Sequence, residues 1–284
     1  MTSARAGARR ASIVEGGISY AVLGILAVIV LFPFYWMIVT SLKSEDQMRS
    51  LVSMFWPSPV IFDNYRQLIS KTEFVSWYGN SLIVSIASTF VATAIGTIGA
   101  YALARLKFLG RGFMASATLI TYLVPPSILF IPLYAQIKNI GLSNSLWGLV
   151  ATYPSFTVPF VTWLLMGYFE SIPEELEESA MIDGATRFGA FYRIVLPLAA
   201  PGVLAASLYA FTQAWNEFLY SLVFITDGRL RTLPVGLASF ITGDVYGWGY
   251  LMAGAVLTTV PVIAAYMYLQ KYMVEGLTAG SVKG

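Results

Sequence analysis

Six apolar blocks, each between 23 and 27 residues long, alternate with polar connections at about 18–41, 80–104, 113–137, 145–168, 199–225 and 248–270. A helix rises about 1.5 Å per residue, so each block gives roughly 35–40 Å, enough to cross an apolar bilayer core about 30 Å thick. The pattern predicts an all-α integral membrane protein with six transmembrane helices. Residues 1–17 form an N-terminal tail, 18–270 the membrane domain, and 271–284 a C-terminal tail with no core to join, expected to be disordered. The first block is too long for a signal-peptide core and no small-residue cleavage site follows it, so it reads as an uncleaved span. Pro33, Phe34, Tyr35 and Trp36 near its outer end suit an interfacial belt. Pro125, Pro126 and Pro132 in the third block, and Pro154 and Pro159 in the fourth, predict kinks. Gly96, Gly99, Ala100 and Ala102 in the second block permit close helix contact.

The polar connections are uneven. The longest, 41–79, holds turn signals at 56–59 and 63–65 with a short helix following, and aromatic residues suited to a membrane surface or a partner. The most structured is 171–197. Six of the fifteen acids lie in its approach and first half: Glu170, Glu174, Glu175, Glu177, Glu178 and Asp183. Ser171 and Glu174 have capping-box spacing, with Pro173 in the first turn. Ile172, Leu176 and Ala180 recur every four residues as a narrow apolar stripe. Gly184 can end the helix in the left-handed conformation. A second short helix fits 187–195, with Phe188, Phe191, Tyr192 and Val195 on one face and Pro197 stopping it. An amphipathic helix–turn–helix between two spans has the shape of a docking surface.

Composition agrees. The 284 residues are 57% hydrophobic and 11% charged, which excludes an ordinary soluble domain. The absence of Cys and His excludes disulfides, thiol chemistry and imidazole catalysis or ligation. A net charge of +2 gives no argument for nucleic acid. No Walker-type phosphate loop is present, so any ATP must be hydrolysed by another chain. With the N-terminus inside, the inner segments hold ten Lys and Arg and the outer ones seven. That bias places both termini and 171–197 on the cytoplasmic face.

Glu178-Ser179-Ala180, Gly184 after three residues and Ile194-Val195-Leu196-Pro197 after nine more resemble the EAA loop of ABC-importer permease subunits. Ser179 in place of alanine is the one departure, and Asp183-Gly184-Ala185 also fits. In that family the loop is the cytoplasmic coupling helix that enters a cleft of the ATPase. The resemblance implies a type I ABC importer permease fold in a bacterial or archaeal cell membrane. It implies ATPase-coupling roles for Leu176, Glu178, Ser179, Ala180, Asp183, Gly184, Ala185, Phe188, Ile194, Leu196 and Pro197. Asn64-Tyr65, Asn80-Ser81, Pro132-Leu133-Tyr134, Trp215-Asn216-Glu217-Phe218 and the tail 275–284 are similar to the maltose-type carbohydrate branch. There the outer loop equivalent to 226–247 reaches into the binding protein. The alternative for 226–247 is a plain solvated connector.

Glu217 is the one acid inside an apolar block. A carboxylate in a span should face protein or water, so Asn216 and Glu217 either line a translocation pathway or hydrogen-bond a neighbouring helix. Entering near Pro201, the chain reaches Glu217 in the outer third of the span, where burial costs less.

The family implies these partners: a second homologous permease, an ATPase dimer carrying ATP and Mg, an extracytoplasmic solute-binding protein and a sugar. This chain would bind no cofactor and carry no catalytic residue. The expected cargo is an oligosaccharide, disaccharide or polyol. A phosphate ester such as glycerol phosphate is the alternative cargo, and an ion-gradient-driven carrier the alternative mechanism.

Overall fold

The computed structural model describes residues 2–50, 54–242 and 245–281. Among these, four helices are long and apolar enough to cross a membrane: Ser19–Ser41, Phe74–Arg105, Leu146–Ser171 and Trp248–Gln270. The count reaches six if each of two bent pairs is one span. These are Arg111–Tyr122 with Pro126–Asn139, bent by 98°, and Arg187–Leu198 with Ala200–Trp215, bent by 75°.

The chain divides into two compact units, Met1–Thr72 with Phe240–Leu257, and Glu73–Ser239 with Thr258–Gly284. In the first unit, α1 (Thr2–Ser41) already begins within the expected N-terminal tail. α2 (Glu45–Arg49) carries a complete capping box between Ser44 and Gln47. α3 (Asp63–Lys71) is tethered by the two residues singled out in the sequence. The Asn64 amide donates to the carbonyls of Ser41 and Lys43, each at 2.8 Å, and the Tyr65 hydroxyl pairs with Ser41 Oγ at 2.7 Å. Lys43 lies outside the span, donates to the Met54 carbonyl at 2.7 Å and rests over the Trp36 ring. Burial lowers its pKa from the ordinary lysine value.

The second unit is built on α4 (Phe74–Arg105). α4 packs against α8 (Pro154–Ser171) and α12 (Ala200–Trp215). Small residues make this possible: a Cβ at Gly96 would meet Val161 Cβ at 3.1 Å and Thr162 N at 3.3 Å. The buried core here joins Ala92, Ala100 and Tyr101 to Val161, Leu165 and Phe169, and to Ala206 and Ala210. α5 (Arg111–Tyr122) and α6 (Pro126–Asn139) part at Pro125, whose ψ of 127° turns the chain out of the helical region. Consecutive prolines enforce this, since each disfavours helix in the residue before it. α7 (Leu146–Thr152) runs through Tyr153 into α8.

Residues 226–239 are anchored, unlike the plain solvated connector of the alternative reading. Asn144 Oδ1 accepts from the N–H groups of Thr226 and Asp227, and Trp77 Nε1 donates to the Gly228 carbonyl at 2.8 Å. α14 (Leu233–Ala238) buries Leu233, Val235 and Leu237, and Ser81 Oγ accepts from Leu233 N at 2.7 Å. A two-residue antiparallel pair follows, with Ile241 opposite Tyr246 and Thr242 opposite Val245. The last helix, α15 (Trp248–Ser281), continues through most of the expected C-terminal tail, while 282–284 lie outside the described residues.

Candidate coupling site

The stretch 171–199 is a chain of short helices. α9 (Glu174–Ile182) begins after Pro173, whose extended ψ of 131° starts the turn. The capping box expected at Ser171 does not form. α8 continues to Ser171, whose hydroxyl donates to the Tyr168 carbonyl at 2.8 Å. Glu174 instead faces Arg105 at 3.5 Å. α9 ends on Gly184 with φ of +92°. Ala185 N donates to Ala180 O at 3.0 Å and Gly184 N to Met181 O at 3.1 Å. These are the two bonds of a Schellman motif, satisfying carbonyls with backbone alone. Thr186 then caps α10 (Arg187–Ala190), its hydroxyl accepting from Gly189 N at 3.1 Å.

Beyond α10 the helix does not stop at Pro197. Residues Phe191–Val195 form a π turn in which Leu196 N donates to Phe191 O. α11 (Leu196–Leu198) carries Pro197 onward toward α12. A proline in an ordinary helix clashes with the carbonyl four residues back, and the wider π turn relieves that contact. The same turn splits the face expected for this helix: Phe191 and Val195 are buried, while Phe188 is 74% and Tyr192 63% exposed.

The stripe read along α9 is likewise not internal. Ile172 lies outside the helix, and Leu176 and Ile182 are exposed. Glu178, Ser179, Asp183 and Gly184 also face outward, whereas Ala180, Ala185, Ile194 and Leu196 are half-buried. The buried residue of α9 is an acid, Glu177. The Tyr101 hydroxyl donates to its Oε1, and Arg105 Nε lies 3.8 Å from Oε2. Arg105, itself buried, also donates to the Ile172 carbonyl. A cavity of about 330 Å³ beside this cluster is lined by Arg105, Lys107, Arg187 and the acids Glu174, Glu177 and Glu178. Sequence patterning does not single out Tyr101, Arg105 or Glu177 for the site, although an arginine closing one apolar block and a run of acids opening another connection are usable signals.

The second candidate, Glu217, sits in an interruption between α12 and α13 (Leu219–Phe224). Asn216 is exposed, its amide turned back onto the Thr212 carbonyl at 2.9 Å. The Glu217 carboxylate accepts from Tyr220 N at 2.7 Å, Ser221 N at 3.1 Å and the Tyr153 hydroxyl at 2.7 Å. It thus satisfies the free N–H groups that open α13, where negative charge is also favoured. Nearby, the Tyr220 hydroxyl donates to the Pro126 carbonyl at 2.9 Å, tying this interruption to the one at Pro125. Asn80, of the Asn80-Ser81 pair, donates to the Arg229 and Arg231 carbonyls.

Residues 75–278 match the model of a family described as "Binding-protein-dependent transport system inner membrane component". The inner membrane ABC transporter permease protein YcjP of Escherichia coli (strain K12) is 36% identical over 267 residues, covering 93% of this chain and 95% of its own. The trehalose/maltose transport system permease protein MalG of Thermococcus litoralis is 37% identical over 269 residues, covering 92% and 94%. Among solved structures, a chain of a bacterial ABC transporter involved in the import of the acidic polysaccharide alginate superposes with a TM-score of 0.79. It covers 93% of this chain and 98% of its own at 23% identity, a likeness of fold.

Proposed function

The chain belongs to the family of binding-protein-dependent transport system inner membrane components, and on that premise we propose that it is the permease subunit of an ATP-driven carbohydrate importer. It is a multi-pass protein of the inner membrane. The cargo class is carried over from relatives whose names specify sugars, such as the trehalose/maltose permease. In this reading both termini and 171–199 are cytoplasmic. An ATPase pair, with its ATP and Mg, docks on α9 and α10. A second permease completes the path, and a binding protein delivers the sugar from outside. Asn216 faces the path, while Glu217 holds the interruption beside it.

One observation carries the docking assignment. Leu176, Ile182, Phe188 and Tyr192 are between 44% and 86% exposed along a single chain of short polar helices. Apolar side chains clustered on an otherwise polar surface mark a binding site. Here they flank a turn whose backbone needs no side chain to close it. Gly184 fits this role through its backbone: its φ is +92°, and a Cβ there would meet nothing beyond its chain neighbours within 4 Å.

The test is co-purification of the tagged chain from membranes in mild detergent, with and without Phe188→Asp. The wild type should recover an ATPase and a second permease. Phe188→Asp should recover the permease but lose most of the ATPase. Recovery of the tagged chain alone under several detergents, or full ATPase recovery by the variant, would overturn the assignment.

A further inference from the structure

α9 is an unusual helix to transmit force. Of its nine residues from Glu174 to Ile182, the buried one is Glu177, and no apolar side chain of α9 is buried. Ala180 and Met181 are half-buried, so hydrophobic packing holds this helix only in part. Its buried attachment is polar and converges on one guanidinium. Arg105, the last residue of α4, faces Glu174 at 3.5 Å and Glu177 at 3.8 Å, and donates to the Ile172 carbonyl at the end of α8. Tyr101, one turn earlier on α4, donates to Glu177 and packs its ring on Phe169 of α8 and Phe191 of the π turn, with centroids 6.1 and 4.4 Å away.

We propose that Arg105, Tyr101 and Glu177 are the positioning residues that pass a displacement of α9 to the spans α4 and α8. The proposal rests on the reading of α9 and α10 as the ATPase-docking surface and assigns the adjacent acids separate tasks. Glu178 faces outward to the partner; Glu177 faces inward to the clasp. Such a buried ion pair contributes little net stability, because desolvation offsets its attraction, but it strongly penalises any arrangement that separates the partners. It fixes where α9 lies against α4. Arginine suits the task because its planar fork addresses several acceptors together, which the single ammonium of lysine does not.

The experiment uses the complete importer in proteoliposomes and measures ATP hydrolysed per sugar transported. Arg105→Lys and Glu177→Gln should raise that ratio about tenfold, the effect of roughly 1.4 kcal/mol of lost coupling free energy, with unchanged recovery of ATPase on purification. Tyr101→Phe, which removes only the hydroxyl, should raise it about threefold, equivalent to roughly 0.7 kcal/mol and within the net range of an ordinary intramolecular hydrogen bond. Glu45→Gln makes the same charge change at an exposed position of α2, outside the docking surface, and should leave the ratio unaltered. Assembled Arg105→Lys and Glu177→Gln complexes with the wild-type ratio would overturn the proposal. If either variant fails to insert, Tyr101→Phe decides, and a wild-type ratio there overturns it equally. Failure of the wild-type chain to bring down an ATPase would instead remove the docking reading itself.

Discussion

The turn at 182–187 and the interruption at 215–219 solve one problem, a helix that must end and another that must begin, in opposite ways. At Gly184 the backbone closes the turn with its own hydrogen bonds, and Ile182 and Phe188 are left largely exposed, Phe188 meeting Phe191 with ring centroids 6.3 Å apart. At Glu217 the joint lies among buried aromatic residues. A side chain is spent on capping α13, and a second, Tyr153, on completing its bonding. On the proposed docking reading, a surface that meets another protein keeps its side chains free, and a joint inside a membrane protein consumes them, because water is not there to satisfy the backbone.

The largest effect that would break this contrast is at Gly184. Gly184→Val should lower sugar uptake by tenfold or more, since a left-handed backbone costs a branched L-residue about 1–3 kcal/mol and the exit of α9 would rebuild. Gly184→Asn, which tolerates that conformation, should retain most activity. Uptake by matched amounts of each variant in vesicles gives the comparison, and equal activity of Val and Asn would refute it.

At the buried joint the expected effect is on stability. Glu217→Ala leaves two N–H groups and a phenol without their acceptor and should destabilise by about 3 kcal/mol, while Tyr153→Phe should cost about 1 kcal/mol. Thermal unfolding in detergent measures both. A loss of transport by Glu217→Ala with unchanged melting temperature would move this residue from support of the joint to the path. The smallest effect sharpens the contrast from the other side. Thr186→Ala removes the N-cap of α10 and should cost about 0.5–1 kcal/mol because the site is exposed, with melting nearly unchanged and docking slightly weakened.

How far the sequence reveals these features depends on the range of the interaction that makes them. The Gly184 turn is legible because both bonds of its motif lie within six residues. Interruption at Pro125 is legible because proline acts on its immediate neighbour. The break at Glu217 is not, as no proline or glycine lies between Trp215 and Leu219; a lone acid in an apolar block shows that something is there but not that the helix stops. Glu177 cannot be told from Glu174, Glu175 or Glu178 by local pattern. It is singled out by Arg105, 72 positions away in sequence. The capping box failed for a related reason, since α8 runs through Ser171 and takes its hydroxyl. Tyr192 and Val195 share a face only at an α-helical period, and both lie inside the wider turn, where one is exposed and the other buried.

That wider turn makes chain length itself a component of the site. A π turn holds one residue more than α-helix would over the same circuit. Excising Ile194, the half-buried residue within this turn, would let it relax to α-helical winding and would rotate the preceding helix by about 100° about its axis. Phe188 would swing away by more than a quarter of the circumference while every exposed side chain kept its identity. Substitutions there alter chemistry one position at a time; a deletion re-aims the entire surface.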